Sequence, residues 1–152
     1  MIAVVQRVSR AEVRVEGEVA GKIGLGLAVL VGVERGDCEA DADVLARKLC
    51  ALRIFPGRTP MDLSIKDVAG ACLVISQFTL AGSTCKGNRP SFDRAEDPAL
   101  AQKLYERVAE RIRTEGIEVA TGRFAADMKV ELVNDGPVTF VLRARDGALA
   151  GE

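Results

Sequence analysis

A chain of 152 residues, 48% hydrophobic and 28% charged, suits one domain with one hydrophobic core and excludes general disorder. It contains no histidine, which excludes every Ser-His-Asp or Cys-His nucleophile pair and every histidine-ligated metal centre. A net charge of −1 gives a phosphate-rich partner no bulk attraction, so nucleic-acid binding would need a local basic patch.

From the N-terminus, Ile2 to Val8 is apolar and β-branched and predicts a strand that starts at once, without the basic and apolar regions of a signal peptide. Ala11 to Val15 alternates as a half-buried strand does. Glu16-Gly17-Glu18 signals a turn, and Val19 to Ile23 returns as the partner strand. Gly26 to Val33 is apolar throughout and predicts a strand covered on both faces. The longest apolar run, Leu25 to Val33, has nine residues and two glycines, where a bilayer span needs about 20.

Gly36-Asp37 opens a helix with Asp37 as N-cap, and Leu45, Leu49 and Leu52 form its buried stripe. Pro56-Gly57 turns, and the alternation of Met61, Leu63 and Ile65 suggests a short strand. Ala71 to Leu80 is a second buried strand. Ala81 to Asp97 reads as a long loop, and long loops in compact domains are often functional. Asp97-Pro98 caps a second helix with an apolar stripe at Leu100, Leu104, Val108 and Ile112, ended by Gly116. Ile117 to Ala120, Lys129 to Val133 and Val138 to Arg143 are strands, the last two joined by a turn at Asn134-Asp135-Gly136-Pro137. Ala144 to Glu152 looks like a loose tail. About seven strands and two helices are too few helices for a doubly wound fold. The expected class is a mixed α/β (or α+β) single domain, with mixed β-sheets and two helices packed on one face.

Four cysteines, Cys38, Cys50, Cys72 and Cys85, form no C-x-x-C pair, and without an export signal they read as reduced, buried or incidental thiols of a cytoplasmic protein. No metal or cofactor motif is present. The glycines from Gly21 to Gly26 fit neither phosphate-loop pattern and read as turn and strand glycines.

Three segments carry chemistry, each with an ordinary alternative. Ser76-Gln77-Phe78-Thr79-Leu80 puts two hydroxyls and an amide where a buried strand meets a polar loop; it lines a pocket or simply ends a strand. Lys86-Gly87-Asn88-Arg89-Pro90-Ser91-Phe92 puts two cations and an aromatic in a loop that grips phosphates and stacks a base, or is merely solvated. Thr121 to Met128 offers Arg123 to a basic patch and Phe124 and Met128 to a pocket, or else forms an apolar plug under a loop.

Taken in order and spacing, Met1 to Val8, Ser76 to Leu80, Arg89 to Phe92, Thr121 to Met128 and Asn134 to Thr139 resemble the D-aminoacyl-tRNA deacylase family. The resemblance runs from Met1 to about Leu142, which sets a domain at residues 1–143 and a tail at 144–152. It implies a homodimer acting on the 3′ end of D-aminoacyl-tRNA and yielding free D-amino acid and tRNA. Ser76, Gln77, Phe78 and Thr79 match the active-site strand end. Gly136 and Pro137 match a cis Gly-Pro pair that reaches in from the other subunit and rejects L-amino acids. Arg7 matches a residue near that pair, and Phe124 and Met128 match pocket positions. Exclusion of one isomer implies that glycyl-tRNA is also a substrate.

Either Thr79 is the nucleophile, or backbone groups and the terminal ribose 2′-hydroxyl carry the chemistry. Residue chemistry favours the second account: a threonine hydroxyl needs an activating base, and no carboxylate lies within six residues of Thr79. Backbone N–H groups near Gln77 and Phe78 would hold the oxyanion. The tRNA patch is expected from Lys86, Arg89, Arg94 and Arg123, with no role for DNA or membrane. A small acyl-ester hydrolase and a non-catalytic RNA-binding dimer are the rival readings.

Overall fold

A computed structural model describes residues 1–151. Seven strands, β1 (Ile2–Val15), β2 (Glu18–Ile23), β3 (Gly26–Gly32), β4 (Ala71–Ser76), β5 (Glu118–Thr121), β6 (Lys129–Arg145) and β7 (Ala148–Leu149), accompany helices α1 (Glu39–Ala51) and α2 (Pro98–Thr114). The strands form one mixed sheet in the order β5-β4-β3-β1-β6-β7, with β2 added to β1. The β3–β4 and β4–β5 pairs are parallel, and the others are antiparallel. The mixed class with two helices on one face is the class the sequence predicts.

The layers follow from alternation along the strands. Ala3 and Val5 of β1 and Leu27, Val29 and Val31 of β3 face the helices, where Leu45, Leu49, Leu104, Val108 and Ile112 complete the main core. Each such buried Val, Leu or Ile side chain contributes about 1.5–3 kcal/mol relative to exposure. The opposite residues, Ala28 of β3 and Leu73 and Ile75 of β4, pack with Val8, Ala11, Val13 and Ile23 into a second core. Strict alternation would return Ala11 and Val13 to the helix face. A register shift against β6 between Val8 and Arg10 inserts Ser9 as an extra residue, which reverses the phase and curls β1 over its own sheet. The two strands expected at Ile2–Val8 and Ala11–Val15 are therefore one bent strand.

Four local expectations change. The Asn134–Pro137 segment is no hairpin turn, because residues on both sides pair antiparallel with β1 in one direction. Between the pairs Gln6↔Thr139 and Val8↔Asn134, the four residues Asp135 to Val138 stand opposite Arg7 alone, so the segment is a bulge inside β6. The 61–65 segment forms only an isolated bridge, Phe55↔Leu63, because no neighbouring strand extends the pairing. The N-cap of α1 is Cys38, not Asp37; the Cys38 N–H donates to Asp41 Oδ2 at 2.8 Å. Asp37 is instead buried, accepting from the Glu34 N–H at 2.6 Å and from Arg145 Nη1 at 2.9 Å. That contact also corrects the loose tail: Ala144 and Arg145 continue β6, Ala144 is buried, and Ala148–Leu149 fold back as β7. Of the expected tail, Glu152 lies outside the described residues.

Asp97 and Gly116 behave as their residue types predict. The Asp97 carboxylate accepts from the Ala99 N–H at 3.1 Å ahead of Pro98. Gly116 takes φ +82° just past the end of α2, the left-handed conformation that glycine adopts without a Cβ penalty. No helix is long and apolar enough to cross a membrane among the described residues.

Candidate active site

Parallel strands β3 and β4 end side by side, and the chain leaves both ends over the same edge of the sheet. There, a cleft of about 890 Å³ opens between the end of β4, the start of α2 and the loop after β5. Its walls include Ser76, Gln77 and Phe78 from the β4 exit, Phe124 and Met128 from the loop, and Phe92 from the long 81–97 segment. Three segments scattered through the sequence are thus one lining. Beneath them the Tyr105 hydroxyl donates to the Val74 carbonyl at 2.9 Å, and its ring lies 6.1 Å from that of Phe124. Burial pushes the Tyr105 phenol up to about 12, so it is a support that stays protonated and not a proton-transfer group.

The β4 strand stops at Ser76, earlier than expected, because Phe78 to Ala81 wind into a 3₁₀ turn. This decides which backbone groups are available. The Gln77 N–H, expected to face the substrate, donates to the Val31 carbonyl at 2.7 Å and is consumed. The N–H groups of Phe78 and Thr79 open the turn, where no intrahelical acceptor exists, and no other backbone acceptor meets them among the described residues. That pair is what the strand end leaves as free backbone donors at this rim.

Thr79 itself is exposed and is not part of the cleft lining. Its hydroxyl accepts from Gln77 Nε2 at 2.5 Å, and no carboxylate bonds to it among the described residues. No cysteine lines the cleft, and burial pushes the thiol of Cys50 up to about 11 and that of Cys72 further still, far from the thiolate range. The cleft also holds groups that the sequence reading missed, namely Arg35, Glu96 and Asp97. Both acids are occupied by backbone N–H groups: Glu96 Oε1 by Asp97 at 2.8 Å, and Asp97 by Ala99. The only signal for this corner was the length of the loop.

Gly136 and Pro137 lie elsewhere, on the exposed β6 bulge, and their peptide bond is cis. Arg7, buried beneath them, fixes the bulge: its Nε donates to the Asp135 carbonyl at 3.0 Å and its Nη1 to the Ile54 carbonyl at 2.6 Å. Asn134 Oδ1 accepts from the Val138 N–H at 3.0 Å and closes the bulge from the other side. Arg7 pairs with Leu27, whereas Gln77 bonds at Val31. The four-residue step from Leu27 to Val31 separates the bulge from its own cleft by roughly 13 Å along the strand.

The four members of the expected cationic patch come from the long 81–97 segment and from the loop after β5. Lys86 and Arg89 are exposed in the 83–91 segment, and Arg123 is exposed beside the cleft. Arg94 is paired with Glu34 and turns toward a different cavity.

The class so defined is a small mixed α/β domain without histidine, whose apolar cleft is fringed by a serine, an amide and unpaired backbone N–H groups. The D-Tyr-tRNA(Tyr) deacylase family model matches residues 4–143, and the chain belongs to that family. It is 58% identical over 146 residues to a D-aminoacyl-tRNA deacylase of Anaeromyxobacter dehalogenans (95% of this chain, 98% of the relative). It is 56% identical over 143 residues to one of Geobacter sulfurreducens (93% and 94%). Among solved structures, one described as c-Myc DNA Unwinding Element Binding Protein superposes with a TM-score of 0.88 at 37% identity, covering 95% of this chain and 99% of that one. A probable eukaryotic D-amino acid tRNA deacylase, at 15% identity and TM-score 0.79 over 92% and 97% of the two chains, shares the fold.

Proposed function

We propose that this chain hydrolyses the ester joining a D-amino acid to the 3′ end of tRNA, releasing both. The observation that carries the reading is the convergence of Ser76, Gln77 and Phe78 with Phe124 and Met128 on one cleft in a member of this family. The ester is already activated, so the protein has to place its carbonyl against dipoles and supply an attacking oxygen. The N–H groups of Phe78 and Thr79 receive the oxyanion, and losing one such donor costs about 2.7–4 kcal/mol elsewhere. Thr79 has no base to activate it, so the attacking oxygen is that of water, held in place by the cleft and the ribose 2′-hydroxyl; it adds to the ester carbonyl, the bond to the ribose 3′-oxygen breaks, and a proton from that water ends on the departing 3′-oxygen. Protons move between substrate and solvent, since the chain has no histidine to relay them.

The working unit is a homodimer. Gly136-Pro137 is too far along β1 to reach the cleft of its own chain, and β6 exposes Val130, Val133, Phe140 and Val141 beside the bulge. A second copy seated on that apolar edge brings its Gly136-Pro137 to this cleft. The expected setting is the cytoplasm, where aminoacyl-tRNA is found.

Incubation with D- and L-aminoacyl-tRNA tests the activity: ester loss from the D form with the L form spared is expected, and equal rates on both would reject it. Lys86 and Arg89 are the exposed cations of the 83–91 segment without a carboxylate partner among the described residues. Their joint replacement by Gln is expected to weaken tRNA binding and to make log affinity less steep in log salt by about 1–2. An unchanged salt slope would remove this segment from the RNA contact.

A further inference from the structure

A second cavity, of about 440 Å³, lies beside the cleft, and Arg35 lines both. Strand register explains the closeness. Ile2 pairs with Gly32 on one side and Arg143 on the other, so Arg143 at the far end of β6 stands in the row where β3 runs out into Glu34 and Arg35. Arg145 follows it, and the loop before α2 closes the cavity with Asp93 and Arg94.

Four guanidinium groups thus face one hollow with two carboxylates, a local excess of cations in a chain whose net charge is −1. The four are not equivalent. Arg94 is paired with Glu34, and Arg145 is held from two sides, donating to Asp37 Oδ1 and to the Arg35 carbonyl, each at 2.9 Å. Asp93 is engaged by the Ser91 hydroxyl at 2.7 Å. Arg35 donates only through Nε, to the Ala95 carbonyl at 3.3 Å, which leaves its terminal nitrogens free. Arg143 is exposed, and neither it nor Arg35 has a carboxylate partner among the described residues. Two of the lining arginines are thus paired with carboxylates, and two are not.

Unpaired guanidinium groups bordering a substrate cleft suit phosphodiester oxygens, which they bind in a bidentate fork. We propose that Arg35 and Arg143 form a binding site for backbone phosphates of the RNA strand whose 3′ end occupies the cleft. The proposal rests on the tRNA reading above. It gives the strand a route out of the cleft over the end of the sheet, past Arg35 first and Arg143 second. Neither side chain touches the ester, so both are positioning residues for the substrate.

The test compares wild type with Arg35→Gln/Arg143→Gln, alongside each single variant, on two substrates: D-aminoacyl-tRNA and D-aminoacyl-adenosine, which carries the ester but no phosphodiester. The double variant is expected to raise KM for the tRNA on the order of tenfold with kcat retained, and to flatten the salt dependence of tRNA binding by about 1–2 in log-log slope. The Arg143→Gln single variant, whose residue lies outside the cleft, should turn over the adenosine ester at the wild-type rate while its KM for the tRNA rises, an outcome that misfolding or a distorted cleft would not produce. Wild-type KM and salt slope in the double variant would overturn the proposal, and so would a parallel loss on both substrates in Arg143→Gln. A wild-type protein that cleaves neither substrate would instead refute the deacylase reading, so the two failures are distinguishable.

Discussion

Gly136→Ala is expected to lower kcat/KM for D-aminoacyl-tRNA on the order of 100-fold while leaving the fold intact. Gly136 takes φ +127°, and a Cβ there would stand 2.8 Å from Arg7 Nη2 and 2.8 Å from Val138 Cγ2. Neither neighbour yields easily. Val138 is buried, and the Arg7 guanidinium is anchored to Asp135 and Ile54. An L side chain at that φ adds backbone strain of about 1–3 kcal/mol. The bulge, being exposed and tied down at only a few points, relieves both by moving outward. The cores on either side of the sheet include neither Gly136 nor Pro137, so the melting temperature should change little. A displacement of about 1 Å in a group that positions substrate can cost about 100-fold in rate. Thr79→Ala is the companion measurement and is expected to cost less than about tenfold. It removes a hydroxyl that only accepts from Gln77 and keeps the backbone N–H. If Thr79→Ala proved the more damaging of the two, threonine would be the nucleophile and the backbone account would fall.

Glycyl-tRNA is expected to be hydrolysed within about tenfold of D-alanyl-tRNA, and L-alanyl-tRNA roughly a thousandfold more slowly, equivalent to a steric penalty of about 4 kcal/mol. In the proposed dimer, carbonyls of Gly136-Pro137 from the second copy would hold the α-amino group and leave no room on one side of the α-carbon. An L side chain points into that wall and a D side chain points away, so the choice is made by rejection. Glycine has nothing to reject. The cleft, at about 890 Å³ and open to solvent, leaves space for D side chains of different size, so their identity should matter little. Rates measured on the three aminoacyl-tRNAs decide the matter. Complete resistance of glycyl-tRNA with cleavage of the D form would show that the site requires a D side chain, and the wall model would be lost.

Much of the molecule was legible in local pattern. Alternation at Ala11–Val15, the apolar run at Gly26–Val33 and the stripe through Leu104, Val108 and Ile112 record how each segment meets a core, and burial follows local period. The Asp97-Pro98 start and Gly116 end of α2 are set by backbone chemistry within a few residues. The absence of histidine and the separation of the four cysteines follow from composition alone. Segment order and spacing were also enough to suggest the family, and hence Ser76 to Thr79, Phe124, Met128 and the Gly136-Pro137 pair as places to look.

Tertiary structure decided everything that depends on a neighbour distant in sequence. Asn134 to Pro137 has turn composition, and only pairing of both flanks with β1 makes it a bulge. Ser9 shifts the phase of β1 only because β6 runs beside it. Asp37 has an N-cap's chemistry but is drawn under Arg145, from the segment expected to be loose. Whether the N–H of Gln77 or of Phe78 and Thr79 faces substrate depends on the Val31 carbonyl, 46 residues earlier in sequence. The meeting of Arg35 with Arg143 follows from a register that no local window contains. Hydrogen bonds and ion pairs across a sheet are set by which strands lie side by side, and a sequence encodes that through the sum of its cores, not at any one residue.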